Sequence, residues 1–365
     1  MKESTCIICG GVFPLGELTE FDEHLFCRSC LNEQTVLCSD CGERIYRSQN
    51  EGNSSIPLCY SCHEEDYTYC ERCGRLIRRD NACYFDDDDN AYCESCYDAE
   101  NDRAIKEYNY KPTPIFYGGG KRYFGVELEI DGAGEDCDSA ESIMNVANYN
   151  NEHIYCKHDG SLEEGFEIVT YPMSLEYHLE EMPWESIVNK ARRLGYTSHQ
   201  AETCGLHVHV SRDALGDTPE AQDATIGRIL YFVERNWSEL LIFSRRTEYQ
   251  LSRWAARYGY KDNPSEMLEH AKKGNCNRYT CVNLTNRYTI EFRMFRGTPK
   301  LNTLIATLQL IDRICDVALY FSDEEIKAMS WTTFAAGCSH LPELVQYLKE
   351  RRLYVNEPVE MEVEV

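Results

Sequence analysis

The chain has 365 residues, more than one ordinary compact core accommodates, so two domains are expected. Its 37 basic and 62 acidic side chains give a net charge of −25, which argues against nucleic acid or an anionic membrane as a partner. The opening residues MKESTCIICGG lack the charged start and apolar core of a signal peptide, and no window reaches the roughly 18 apolar residues of a membrane span, so a cytoplasmic protein is expected.

Thirteen of the 20 cysteines fall within the first 96 residues. They form six Cys-x-x-Cys pairs, and the first member of alternate pairs recurs at Cys6, Cys38 and Cys70, a constant step of 32 residues. Gly10, Gly42 and Gly74 each follow such a pair, and Phe13, Ile45 and Ile77 keep the same step. A fixed step marks an internal repeat. Two thiolates two residues apart sit on one tight turn, and a following glycine permits the left-handed backbone that the turn needs. Two such turns complete a tetrahedral zinc shell. The period favours sequential over interleaved sites: Cys6, Cys9, Cys27 and Cys30; Cys38, Cys41, Cys59 and Cys62; Cys70, Cys73, Cys93 and Cys96. Without a secretion signal, dense cysteines point to metal before disulfides. Units this small have almost no core, so zinc would supply their folding free energy. Cys83, His24 and His63 are left over, because each shell is already full. Residues 1–110 hold 10 basic and 23 acidic side chains, and the run FDDDDN (Phe85–Asn90) adds to an acidity that is wrong for a nucleic-acid-binding ribbon. A LIM-like module that docks a protein partner fits better; a structural spacer is the alternative.

The reading therefore divides the chain into zinc repeats over 1–100, a Pro- and Gly-rich linker over 101–121, a second domain over 122–325, and a helical extension with an acidic tail over 326–365. In the second domain FGVELEI predicts a strand with Glu127 and Glu129 on one face and Val126, Leu128 and Ile130 on the other. A helix over Ser139–Asn148, capped by Asp138 or Ser139, follows. Then come the turn KHDGSLEEG with Asp159, the strand GFEIVTYP with Glu167, and an amphipathic segment over Ser174–Leu194 around Pro183. CGLHVHVSR puts His207 and His209 on one strand face. A helical pattern over Thr218–Arg245 leads to YTIEFRMFRG, which puts Glu291 and Arg293 together, and a last helix covers Leu301–Phe321. Strands with one polar face, and helices to cover the other, predict an α+β fold: an antiparallel sheet with helices on one face. Singly, Glu-x-Glu reads as a solvated face, His-x-His as incidental, and Glu-x-Arg as a cross-strand ion pair. Jointly they crowd four carboxylates, two imidazoles and several arginines onto one face. Divalent cations and a polyphosphate resolve that crowding.

The ordered set FGVELEI, DGSL…GFEIVTYP, CGLHVHV, SRR, RYTCVNL and TIEFRMFRGT resembles the amidoligase family of the glutamine synthetase and glutamate–cysteine ligase fold, over roughly residues 121–325. The resemblance implies an ATP- and magnesium-dependent carboxylate–amine ligase that forms an amide or isopeptide bond through an acyl phosphate. Glu127, Glu129, Glu167, His207 and Glu291 would hold magnesium. His209 would face the acyl substrate, and Arg293 would meet phosphate or the developing oxyanion with help from Arg296. Arg245 and Arg278 would hold phosphate or a substrate carboxylate, and Asp159 would receive the amine. The family's metal cluster uses about six carboxylates, so Asp131, Glu163 and Glu164 are further candidates. Substrates would be an amine and a carboxylate, the acyl donor being glutamate, a peptide, a protein side chain or a cell-envelope carboxylate. Two alternatives stand beside this: a non-catalytic interaction protein on a ligase-like scaffold, and a phosphotransferase on the same fold.

Overall fold

A computed structural model describes residues 2–84, 89–198, 204–274 and 278–354. Most of the FDDDDN run, Cys276 and the acidic tail beyond Tyr354 lie outside the described residues. The chain divides into two compact units, Met1–Asp102 and Arg103–Val365.

The first unit repeats one plan. Strand β1 (Glu3–Thr5) pairs with β2 (Val12–Pro14); a hairpin of β3 (Leu18–Phe21) and β4 (His24–Cys27) and helix α1 (Arg28–Gln34) complete the first repeat. The second runs β5 (Thr35–Leu37), β6 (Arg44–Tyr46) and α2 (Tyr60–Asp66); the third runs β7 (Tyr67–Tyr69), β8 (Leu76–Arg78) and α3 (Glu94–Asp102). In each repeat the first cysteine pair sits in the bend of a strand pair. The N–H of Gly10, Gly42 or Gly74 closes the bend onto the carbonyl of Cys6, Cys38 or Cys70 at 3.0, 3.0 and 2.9 Å. These glycines have φ of +69°, +75° and +65°, the left-handed region expected of them.

The second pair departs from the expected second glycine turn. Cys27 and Cys59 are the N-caps of α1 and α2, and Cys30 and Cys62 lie inside the first helical turn. The short helix supplies the second bend, so no glycine is needed there. The repeats also lean on one another: Tyr67 and Leu76 of the third share a buried cluster with Ile45, Leu58, Cys59 and Cys62 of the second.

The second unit is built on a seven-stranded sheet. In chain order it runs β9 (Ile105–Lys106), β10 (Phe124–Ile130), α4 (Cys137–Ala147), β11 (Ile154–Lys157), β12 (Phe166–Thr170), α5 (Leu175–Glu180), α6 (Trp184–Arg193), β13 (Gly205–Ser211), α7 (Pro219–Arg235), α8 (Trp237–Ser244), α9 (Glu248–Trp254), α10 (Pro264–Lys273), β14 (Val282–Asn283), β15 (Thr289–Arg296), α11 (Leu301–Tyr320), α12 (Asp323–Ala328), α13 (Trp331–Ala336) and α14 (Pro342–Glu350). The sheet order is β14-β15-β13-β10-β12-β11-β9. Every pairing is antiparallel except that of β9 with β11, which makes the sheet mixed rather than purely antiparallel. That exception comes from Ile105–Lys106, inside the stretch expected to be linker. Ile105 is fully buried, so two residues suffice to add an edge strand.

Alternation decides the two faces. Val126, Leu128, Leu206, Val208, Val210, Ile290 and Phe292 are buried in one core with Ile143 of α4, Ile187 of α6, Ile229 of α7 and Leu308 of α11. Each such side chain contributes about 1.5–3 kcal/mol by leaving water. Helix ends follow local chemistry. Asp136, not Asp138 or Ser139, caps α4 by accepting from Ser139 N–H. Pro183 separates α5 from α6, and Asn236 breaks the segment over Thr218–Arg245 into α7 and α8. The helices beyond residue 325 belong to the core: Leu344 and Leu348 of α14 are buried in it.

Candidate active site

Strand register assembles the polar face. Glu127 pairs with His207, Glu129 with Glu167, His209 with Glu291, and Asn283 with Glu291. Paired residues point the same way, so six functional side chains from β10, β12, β13 and β15 share one face. On β15 the register shifts between the pairs Leu206–Phe295 and Val208–Phe292, a β-bulge. Strict alternation from Glu291 and Arg293 would send Arg296 to the opposite face. The bulge adds one residue and returns Arg296, opposite Gly205, to the polar face.

His207 is the hub. Its Nδ1 lies 3.3 Å from Glu127 Oε2 and 3.8 Å from Glu291 Oε1, and its Nε2 lies 3.6 Å from Glu129 Oε1. His209 reaches Glu127 Oε1 at 3.0 Å with Nε2 and Thr289 Oγ1 at 3.1 Å with Nδ1. Glu291 forms an ion pair with Arg293 and accepts from Asn283 Nδ2 at 2.8 Å and Asn286 Nδ2 at 3.2 Å. Glu129 accepts from the Gly205 N–H. Glu129, Glu167, His207 and Glu291 are all buried.

Burial and neighbours divide the carboxyls. Burial would raise Glu127, but the imidazoles of His209 and His207 hold it well below the usual range. Glu291 is lowered in the same way, against burial, by His209 and Arg293. His209 is raised, because Glu127 and Glu291 outweigh its own burial. Glu129 is raised by burial, and Glu167 is pushed well up by burial and by the Glu127 charge, with Lys157 opposing. Glu127 and Glu291 thus have compensating positive charge, whereas burial leaves the Glu129–Glu167 end of the face without enough of it.

That imbalance is what a hard divalent cation relieves, and carboxylate oxygens with one imidazole suit magnesium. Ligand atoms of Glu127, His207 and Glu291 lie within 4.8 Å of one another, with Glu129 and Glu167 alongside. Arg293 Nε is buried without a hydrogen-bond partner, which fits an anionic group arriving there. The residues present therefore fit magnesium and phosphate.

The cysteines meet the same test. The structure groups Cys6, Cys9, Cys27 and Cys30, then Cys38, Cys41, Cys59 and Cys62, then Cys70, Cys73, Cys93 and Cys96, each with sulfurs within 4.8 Å. Across the two halves of a set, the sulfurs of Cys9 and Cys27, Cys41 and Cys59, and Cys73 and Cys93 lie 4.0, 3.8 and 3.8 Å apart. A tetrahedron with Zn–S of about 2.3 Å requires about 3.8 Å. The N–H groups of Cys9 and Cys27 draw the Cys6 thiol down to about 6, while hydrogen bonding to Cys27 and burial push the Cys30 thiol up to about 12, so without a cation the four sulfurs are not all thiolates.

No family model matches this chain, and no curated protein matches it. Among solved structures it is similar to a bifunctional glutathione synthetase from Pasteurella multocida, at 15% identity and a TM-score of 0.37, over 63% of this chain and 46% of that one. It is also similar to a protein described as a novel glutamine synthase homolog, at 13% identity and a TM-score of 0.32, over 64% of each chain. The chain thus spans about half the length of the first and under two thirds of the second, and both likenesses are too distant to carry function.

Not every expected residue joins the polar cluster. Asp131 is buried but accepts the N–H groups of Gly132, Glu163 and Glu164, so it pins a turn. Glu163 and Glu164 are exposed. Asp159 accepts the Ser161 N–H at 2.7 Å and lies close enough to press on Glu129 and Glu167 by charge. Arg245 lines a separate cavity of about 380 Å³ with Val188 and Arg192 of α6, Lys300 and Leu301, and none of the face's carboxylates lines it. Its neighbour Arg246 is the buried one, donating to the Phe295 and Cys204 carbonyls, and its charge acts on Glu129. Arg278 is exposed and donates to the Tyr108 and Tyr279 hydroxyls. Arg246, Asn283, Asn286 and Thr289 are the residues that sequence reasoning missed. Arg246 stood in the quoted SRR, and the alternation of β14 could have revealed Asn283.

Proposed function

We propose that the second unit is an ATP- and magnesium-dependent carboxylate–amine ligase, and that the zinc repeats dock its partner or protein substrate. One observation carries this reading: four carboxylates, two histidines and two arginines converge on one sheet face, and burial leaves Glu129 and Glu167 there without full compensation. Glu127, His207 and Glu291 would hold magnesium, with Glu129 and Glu167 beside them as further ligands. Bound magnesium would supply positive charge that holds and neutralises a triphosphate.

The chain's own groups then divide the work. Arg293, fixed by Glu291, aims an N–H fork at charge that develops on phosphate or on the carbonyl oxygen. Arg296 shares its face because of the bulge. Arg246 sets the charge around Glu129 from a buried position. His209, held between Glu127 and Thr289, orients the acyl substrate. Asp159, with one oxygen on the Ser161 N–H, accepts the amine and its proton.

The test is ATP hydrolysis that depends on an added amine, with mass spectrometry of host peptides and proteins after expression of wild type and Glu127→Gln. Loss of one water per bond formed, in wild type only, identifies what is joined. ATP consumption indifferent to amine, with the terminal phosphoryl group kept on an acceptor and no free phosphate released, would replace the ligase by a phosphotransferase.

A further inference from the structure

A chain of alternating cations and aromatic rings links the two sides of the polar face. Lys157 is the cross-strand neighbour of Glu167. Its Nζ lies 5.5 Å from the centre of the Tyr108 ring. Arg278 Cζ lies 5.5 Å from the same ring and 4.9 Å from the ring of Tyr279. Arg278 also donates to both tyrosine hydroxyls. Arg293 Cζ lies 5.9 Å from the Tyr279 ring, and Arg293 is paired with Glu291. The belt therefore runs Glu167–Lys157–Tyr108–Arg278–Tyr279–Arg293–Glu291. It begins on β12 and ends on β15, and between those strands lie β10 and β13, which carry Glu127, Glu129, His207 and His209.

Tyr108 is the member on which the belt depends. It follows edge strand β9 and is 40% exposed, yet two cations share its ring. An exposed arginine ordinarily samples many rotamers. Here two of the five N–H groups are fixed by hydroxyls and the guanidinium is held by two rings. Lys157 opposite Glu167 and Arg293 on Glu291 each face one member of the carboxylate floor, and Arg278 bridges them through the two tyrosines, in a chain whose net charge is −25.

We propose that Tyr108 is a positioning residue: it closes this belt and holds Arg278 ready for the polyphosphate of a nucleotide bound on the carboxylate floor. The proposal rests on the ligase reading, since it takes the nucleotide as ligand. It adds that affinity depends on a tyrosine outside residues 121–325.

The probe is the non-hydrolysable nucleotide AMPPNP with magnesium, titrated calorimetrically into the full chain. Tyr108→Ala removes the ring and the hydroxyl, and its Kd is expected to rise roughly tenfold, which corresponds to about 1.4 kcal/mol. Tyr108→Phe keeps the ring and should fall between Tyr108→Ala and wild type. Arg278→Gln should match Tyr108→Ala, and the double variant should lose no more than either alone, because the tyrosine acts through the arginine. Additive losses, or Tyr108→Ala binding like wild type with an unchanged melting temperature, overturn the proposal and leave the ligase reading standing. Wild type that binds no nucleotide removes the ligase reading and this inference with it. Hydrogen exchange at Tyr279 and Thr280 in the ligand-free protein should be faster in Tyr108→Ala, with Tyr108→Phe closer to wild type. Equal exchange in all three shows that Tyr108 does not hold this segment.

Discussion

The two units place side chains suited to metal in opposite ways. In the first, cysteines are the core: Cys6, Phe26, Cys27, Cys30 and Leu31 form one buried cluster, and four sulfurs gather in each set. In the second, a large apolar core stands on its own, and the ligand set lies on the far face of the sheet as an open arrangement of carboxylates and imidazoles. Soft thiolates in a closed tetrahedron stabilise a fold; hard oxygens on an incomplete shell leave room for a substrate. The same chain would thus lose its first unit, but only the chemistry of its second, when metal is removed.

The sharpest way to break that contrast is at the middle zinc shell. Cys38→Ser with Cys41→Ser removes two of four ligands, and structural zinc sites contribute about 10–16 kcal/mol of apparent binding free energy at neutral pH. Elemental analysis should fall from about three zinc ions per chain to about two. Proteolysis should then cut within Met1–Asp102 while calorimetry still shows the transition of Arg103–Val365. A chain beginning at Arg103 should carry no tightly bound zinc; zinc retained by it would place the metal in the wrong unit. Starting later, at Tyr110, would remove β9 and confuse the comparison.

In the second unit the matching substitutions should spare the fold. Glu291→Ala is expected to abolish turnover and to raise the magnesium needed for nucleotide binding, with the melting transition retained. Full activity in that variant would remove the ligase reading. Arg293→Lys is milder. It keeps the charge but loses the planar fork, and a fixed donor to a developing oxyanion is worth roughly 2.7–4 kcal/mol. Turnover should fall about two to three orders of magnitude, with ATP affinity changing much less. If Arg293 merely pairs with Glu291, the Lys variant stays nearly as active as wild type, and steady-state kinetics separates the two.

Much of this contrast was legible in the residues themselves. The 32-residue step fixes which cysteines belong together, and period-two alternation puts Glu127, Glu129, His207, His209 and Glu291 on polar faces. What alternation could not show is what breaks it. The bulge that returns Arg296 to the site leaves no local mark in TIEFRMFRG. Ile105–Lys106 is too short to read as a strand without its partner β11. Arg245 and Arg246 are adjacent and alike in sequence. Only the left-handed turn at Arg245, φ 60°, decides that Arg246 is the buried one acting on Glu129. The second half of each cysteine set was expected on a glycine turn, because helices of seven to nine residues carry too little periodicity to announce themselves.

The smallest predicted effect concerns stability without metal. Glu129 and Glu167 are raised above their ordinary value by burial. A carboxyl raised on folding binds its proton more tightly in the native state, so stability is lost as pH rises from the unfolded value of about 4.3 toward the raised one. His209, also raised, adds to the same trend: its contribution is full below about 6.5 and is lost as pH rises through its folded value. Glu127 and Glu291 are lowered, so their contribution is already complete above about 4.3 and adds no slope from pH 5 to 8. A chain beginning at Arg103, melted in chelator, should therefore be less stable at pH 8 than at pH 5.5. Magnesium should erase most of that difference, because it compensates the charge that deprotonation exposes. Glu167→Gln removes one such carboxylate while keeping its shape, and should raise the pH 8 midpoint by about 2–4 °C, the shift that about 1 kcal/mol produces in a unit of this size. An unchanged pH slope in Glu167→Gln would show that its carboxylate is not under the strain that burial and Glu127 impose, and the case for magnesium at that end of the face would fall.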